Sequence, residues 1–291
     1  MLVHSCPRPA PFPCFLLQVS TRPRVSLSTA APQYRCSLIR TRHWPRLLLG
    51  TALGFILLVS VATVGATVAQ TATANPTLGA NQFIAGYSGN VTAGTTFTML
   101  DALWNVPAVS CQPKLGGSQQ IVTMIQANRL TIGVQQVCKE GSSTPTLTPF
   151  ALYPPVNAKP IPLKISVKAG DLVYALIVIN PTTNSVNGTL RDVTANTGVH
   201  YIRTVPNAAQ VAQGFFFGVS RGGLGLFAAK DLAKFRSPIT FEGCEYDLNA
   251  IQNAPYLGRI VMQDAGGKAL ALTSGLSGGG ATFSVTWVRS A

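Results

Sequence analysis

RLTIGVQQVC, Arg129 to Cys138, reads as a buried β-strand that ends in a cysteine. The same two-residue period recurs on both sides of it. Leu163, Ile165 and Val167 alternate with Lys164, Ser166 and Lys168, and Phe283, Val285 and Trp287 alternate with Thr282, Ser284 and Thr286. Alternation of this kind puts one set of side chains on each face of a pleated strand. DLVYALIVI, from Asp171, reads as a strand buried on both faces. Further strand candidates are FIAGYS, TFTMLDALWNV, QIVTMIQ, GTLRDV, HYIRTV, VAQGFFFGV, ITFEGC, LGRIVMQ and KALALTS. KAGD, NPTTN, NTG, RGG, DAGG and SGGG punctuate them as turns. Only AAKDLAKF, from Ala228, has a helical pattern, for about two turns. Many short strands without βα alternation predict an all-β fold, an antiparallel double-sheet sandwich or barrel.

The chain divides into three parts. Residues 1–40 are rich in Pro, Arg and Ser without strong periodicity; they read as disordered, or as lying upstream of the true start. Residues 41–74 carry all but the first residue of RTRHWPR, Arg40 to Arg46, and then a long apolar run, the pattern of a signal peptide or an N-terminal membrane anchor. Ala72-Thr73-Ala74 fits a cleavage site, with Ala69 as an earlier option, and residues 47–69 could span a bilayer at about 20 residues. Residues 75–291 form the third part, long enough to bury one proper core. The expected location is outside the cell, secreted or tethered by that N-terminal segment.

The chain has 22 Lys+Arg against 9 Asp+Glu. The first acid is Asp101, and seven arginines lie between Arg8 and Arg46. Removing those seven leaves 15 basic residues against 9 acids, a net of about +6. These charges are scattered, without the basic run or aromatic stripe of a nucleic-acid site. Cys6, Cys14 and Cys36 precede the apolar segment, while Cys111, Cys138 and Cys244 lie in the third part, where export permits one bridge and leaves one thiol over.

Chemistry is sparse. His200 is the sole histidine of the third part, so a Ser-His-Asp triad or His-based metal site would need it; its setting, VHYIRTV, is a strand. No phosphate loop, metal motif or cofactor motif is present. FEGCEYD gathers Glu242, Glu245 and Asp247 around Cys244, and paired carboxylates can do acid–base work. In an uninterrupted strand, however, Glu242 and Glu245 would face opposite ways.

The order and spacing of the short motifs carry more. From Phe83 to Trp287 the chain resembles the glutamic peptidases, or eqolisins, acid peptidases insensitive to pepstatin. FIAGY is similar to the family's W-A-G-Y, LWNVPAVSC to W-x-V-P with its following Cys, and QIVTMI to W-V-G-I. LTIGVQQVC is similar to L-I-Q-V-G-x-x-x-C, FALYPP to W-Y-E-x-Y-P, and VKAGDLVYALI to the P-G-D strand. VAQGFFFGV is similar to A-E-W-I-V-E, ITFEGC to T-F-x-x-C, and GLSGGGATFSVTW to the closing hairpin.

The resemblance implies a jelly-roll or concanavalin-like sandwich with a cleft on one concave sheet. It also implies acid hydrolysis by a glutamate base and a glutamine that positions water and stabilises the oxyanion. On this chain the glutamine position falls on Thr131 and the glutamate position on Gln213. The cleft positions fall on Ile84, Ile121, Pro149, Ala151 and Tyr153, with a Trp or Glu of the family pattern replaced at the first four. Framework positions are kept at Trp104, Val106, Pro107, Gly133, Tyr153, Pro154, Gly170, Asp171 and Trp287. The implied protein is a pseudoenzyme without its dyad, whose concave sheet binds an extended peptide or a glycan. The alternative is an active acid endopeptidase with rearranged machinery, drawing on Gln126, read as a loop residue, or on Asp101 or Glu140. Gln135 shares the parity of Thr131 but lies about 13 Å further along the strand, and Gln136 faces the other way. The family arrangement also implies a Cys111–Cys138 bridge worth about 3 kcal/mol, with Cys138–Cys244 as the alternative pairing.

Overall fold

The computed structural model describes residues 76–113, 115–153, 159–222 and 231–290. The expectations for residues 1–40 and 41–74 lie outside the described residues. Among those described, no helix is long and apolar enough to cross a membrane.

In chain order the strands are β1 (Thr77–Asn81), β2 (Ile84–Asn90), β3 (Met99–Asn105), β4 (Val109–Ser110), β5 (Gln119–Ala127), β6 (Leu130–Cys138) and β7 (Thr146–Leu152). Next come β8 (Ile161–Pro162), β9 (Leu172–Asn180), β10 (Ser185–Asp192), β11 (Thr197–Thr204), β12 (Gly214–Ser220), β13 (Asp231–Leu232) and β14 (Lys234–Phe235). The last are β15 (Ile239–Tyr246), β16 (Asn249–Ala250), β17 (Gly258–Gln263), β18 (Ala269–Thr273) and β19 (Phe283–Trp287). One antiparallel ladder runs β11-β10-β9-β3-β15-β19-β18-β17-β2-β12-β5-β6-β7-β8. It folds back on itself at β17, which pairs with β18 on one side of the turn and β2 on the other.

The two halves stack face to face, as an all-β sandwich requires. Trp104 of β3 donates its indole N–H to Thr123 Oγ1 of β5 at 2.9 Å. The Tyr87 ring of β2 meets Phe283 of β19 with centroids 4.9 Å apart. Gly188 of β10 lies so close to Ile132 of β6 that a Cβ there would sit 2.0 Å from its Cδ1. One core of buried side chains fills this space, including Leu100, Ile121, Ile125, Ile132, Val134, Phe217 and Phe241. Each large one contributes roughly 1.5–3 kcal/mol by leaving water.

Cys111 and Cys138 are joined by a disulfide, and Cys244 is a buried free thiol. The bridge ties the loop after β4 to the end of β6, so the Cys138–Cys244 pairing is not formed.

Two local readings are corrected. Leu163 and Ile165 are half-buried, Val167 is buried and Lys164, Ser166 and Lys168 are exposed, yet this stretch joins no ladder. The alternation there records burial along an extended segment that lies on the core. The described part of AAKDLAKF is extended rather than helical: Leu232 pairs with Gln120 and Phe235 with Val109. Tertiary pairing overrides the helical propensity of Ala and Leu. The helical turn falls instead at α1 (Ala208–Val211), where the Asn207 side chain caps the N–H of Gln210.

Candidate functional site

The face of interest is the outer side of the β17-β2-β12-β5-β6-β7 layer. Residue parity identifies it. Thr123 reaches Trp104 across the core, so Ile121, Thr123 and Ile125 of β5 point inward. Val122 and Met124 therefore point outward, where they cluster with Ile84, Phe150, Leu152 and Phe216, with Phe83 and Ile260 packed alongside.

Thr131 belongs to this outer face. Register places it opposite Gln126 of β5 and Leu152 of β7, and Gln126 in turn lies opposite Phe216 of β12 and Phe216 opposite Ser88 of β2. Gln126 is thus a strand residue beside Thr131, not a loop residue, and its Nε2 donates to the carbonyl of Asn128. The Thr131 hydroxyl is fully buried and has no hydrogen-bond partner. Gln135 donates to Gln120 Oε1 at 2.9 Å. Gln136 points the other way and donates to the carbonyl of Pro107.

Gln213 is not in this row. It lies exposed just before β12, three residues short of Phe216, or about 10 Å along an extended chain. Its carbonyl accepts the N–H of Val91. The structure does not bring Thr131 and Gln213 together. Of the five positions expected to line the cleft, Ile84 is on the outer face. Ile121, Ala151 and Tyr153 lie in the core between the layers, and Pro149 shares the parity of Ala151. The physical reason is a one-residue offset: in β5 and β7 the outward side chains are Val122, Met124, Phe150 and Leu152.

The next row inward is built for close approach. Gly86 and Gly218 face each other across β2 and β12, both with φ of +149°. A Cβ on Gly86 would stand 2.0 Å from the carbonyl oxygen of Phe217, and one on Gly218 2.2 Å from that of Ala85 and 2.9 Å from Phe216 Cζ. The Phe216 ring thus lies over Gly218. The face is filled by its own side chains.

Chemically, this face has hydroxyl and amide groups but no base. None of β2, β12, β5, β6 or β7 contains Asp or Glu. Glu140 follows the far end of β6, nine residues beyond Thr131. A threonine hydroxyl can hold a water and an amide can donate to an oxyanion, but neither accepts a proton near neutral or acid pH.

The carboxylates gather on the outer face of the other layer. β15 bulges between Glu242 and Glu245, where Gly243 takes φ of +57°. The bulge inserts one residue and resets the parity. Glu242 then lies opposite Leu103 and Glu245 opposite Asp101, so both acids share the face of Asp101, contrary to the uninterrupted-strand expectation. Cys244 is turned into the core. Asp101 Oδ2 accepts from the Tyr174 hydroxyl at 3.2 Å, while its Oδ1 is shut from solvent without a partner. Burial, and then the facing Glu245, push the Asp101 carboxyl up to about 6, against the pull of the Tyr174 hydrogen bond. Burial and the charges of Asp101, Glu245 and Glu242 hold the Cys244 thiol well above its ordinary value, so it stays protonated and unreactive. His200 shares a hydrogen bond with the Thr189 hydroxyl at 2.9 Å on the exposed edge strand β11. Among the described residues, no three Asp, Glu, His or Cys side chains could hold a metal ion together.

A two-layer antiparallel sandwich is a fold that known proteins share. No family model matches the sequence, and no curated protein matches it. Solved structures do match. Scytalido-glutamic peptidase with a transition state analog inhibitor superposes with a TM-score of 0.54 at 14% identity, over 72% of this chain and 99% of that one. The same peptidase with a peptide based transition state analog gives 0.52 at 15% identity, over 71% and 100%. At this identity the likeness establishes the fold: the chain is structurally related to the glutamic peptidases.

Proposed function

We propose that this chain is a non-hydrolytic domain of glutamic-peptidase fold, exported or tethered outside the cell, whose retained sheet binds an extended peptide. One observation carries the first half of this reading. The described strands around Thr131 contain no carboxylate, and all nine acids of the chain lie elsewhere. Loss of a general base alone costs about 10²–10⁴-fold in rate. Loss of an oxyanion donor costs about 10²–10³-fold, although such losses do not simply add. The active acid endopeptidase is therefore the weaker reading. Gln126 supplies an amide next to Thr131, but an amide is no substitute for the base.

The peptide half rests on the character of the same face. Phe83 and Ile260 are half-exposed beside the buried Ile84 and Phe216, and the Arg221 guanidinium lies over the Phe83 ring at 5.7 Å. An apolar margin suits alternate side chains of an extended peptide. A glycan would favour aromatic platforms, and the family's tryptophan positions carry isoleucine at Ile84 and Ile121.

The test is proteolysis of a denatured protein by the purified chain, from strongly acidic to neutral pH with pepstatin present. No cleavage is expected. Cleavage that disappears in both Thr131→Val and Gln126→Ala would overturn the reading in favour of rearranged machinery. Binding is read separately, by calorimetry with an unfolded apolar peptide. Phe83→Ser with Ile260→Ser should abolish the heat signal, and no signal from the unmodified chain would remove the peptide half.

A further inference from the structure

A second cleft, far from Thr131 in the ladder, sets hydrogen-bond donors beside the apolar Phe235 and Pro238. It has a volume of about 500 Å³ and is bounded by Ser110, Lys234, Arg236, Ser237, Thr286 and Trp287. Local structure explains the grouping. Ser110 and Lys234 are register partners in the small β4–β14 ladder. Phe235 is buried, so its neighbours Lys234 and Arg236 emerge on the opposite side of the extended chain, both exposed. Trp287 closes the far wall from the end of β19.

We infer that this cleft is an oxyanion site, taking a carboxylate or sulfate group between Lys234 and Arg236 against the Trp287 ring. Three observations support it. No Asp, Glu, Asn, Gln or His lines the cleft, so ligand acceptors meet no competing acceptor side chain beyond the hydroxyls. Among the described residues the ion pair joins Arg289 to Asp264, and neither Lys234 nor Arg236 has a carboxylate partner. The Lys234 ammonium is held 5.2 Å from the centre of the Trp287 ring. The ring contact orders the lysine ahead of ligand arrival, and a guanidinium beside it offers the planar fork that matches a carboxylate or sulfate. The inference is independent of the proposed function, since neither Thr131 nor the carboxylates are involved.

Trp287 provides the readout: Trp104 is 1% exposed and screened from added ligand, and any change from Trp44, the third tryptophan of the chain, would persist in Trp287→Phe. The full chain is titrated with sodium sulfate, and separately with trigalacturonate, at constant ionic strength while tryptophan emission is followed. A saturable change is expected with at least one of them, and Trp287→Phe should remove the signal. Lys234→Ala with Arg236→Ala should weaken the apparent affinity about tenfold or more, a loss of about 1.4 kcal/mol. Both substitutions are at exposed positions and should leave the melting temperature nearly unchanged. A response to both ligands assigns the bare oxyanion as the recognised group. A response to trigalacturonate alone assigns a carboxylate carried on a sugar ring. No saturable change with either ligand, or equal affinity in the double variant, overturns the inference.

Discussion

The two outer faces of this sandwich have opposite chemistry. Around Thr131 the face is closed by Val122, Met124, Phe150, Leu152 and Phe216 and contains no acid. Across the molecule, Asp101, Glu242 and Glu245 share one face in the other layer. The difference shows that one sandwich can gather its carboxylates on one layer while the strands of the other layer around Thr131 contain none.

The largest expected effect breaks the closed face. Gly218→Ala would drive a methyl group into the carbonyl of Ala85 and the ring of Phe216, and should cost about 3 kcal/mol or more in urea unfolding. A loss under about 1 kcal/mol would mean that β2 and β12 can separate there and that the face is not tightly closed. Replacing both Cys111 and Cys138 by serine should cost about 3 kcal/mol, because the bridge closes a separation of 27 residues. Equal stability with and without the bridge would show that the β6 end is held by other contacts.

The acidic face is tested by pH. The folded state raises the Asp101 carboxyl from its ordinary 3.8 to about 6, so it binds a proton more tightly than the unfolded chain does. Its contribution is therefore present below about pH 4 and is lost as pH rises through about 6. Asp264, held low by the Lys268 N–H and by Arg289, works in the opposite direction. The difference in melting temperature between the unmodified chain and Asp101→Asn cancels such background terms. That difference should fall between pH 4 and 6 and stay flat above. A difference curve that is level throughout would show that burial and Glu245 together do not raise the Asp101 carboxyl in the folded state.

The smallest effect is expected at Thr131. Its buried hydroxyl has no partner, so Thr131→Val removes an unsatisfied group without changing shape and should be neutral or stabilising by up to about 1 kcal/mol. A clear destabilisation would reveal a hydrogen bond to that hydroxyl and make it a working part of the face.

Much of the ladder was legible because strands write their period into the residues. RLTIGVQQVC, DLVYALIVI and the closing FSVTW are β6, β9 and β19 almost to the residue. Faces were harder to read. Motif resemblance aligned Ile121 and Ala151 with cleft positions, but a one-residue offset turns a side chain from cleft to core. The acidic face was hidden for the same reason in reverse. Gly243 takes up one residue in a bulge, and nothing in FEGCEYD except a glycine within a strand hinted that parity would be reset there. Gln126 was misplaced because QANR resembles a loop, while the turn needs only Asn128 and Arg129; Asn128 takes the positive φ of 45° that the tight reversal demands.

β1 pairs in parallel with β17, Thr77 opposite Gly258 through Asn81 opposite Met262. The first strand of the sandwich thus finds its partner almost at the other end of the domain, and β17 is also the strand on which the ladder folds back. During synthesis the sheet cannot close until both have emerged, so loop-closure entropy opposes the decisive contact, although the β5-β6-β7 and β9-β10-β11 hairpins can form before it. Such a chain is expected to fold slowly for its size and to leave β1 and one edge of β2 unpaired while it waits. The time spent in that open state, more than the final stability, would set how much of it escapes aggregation.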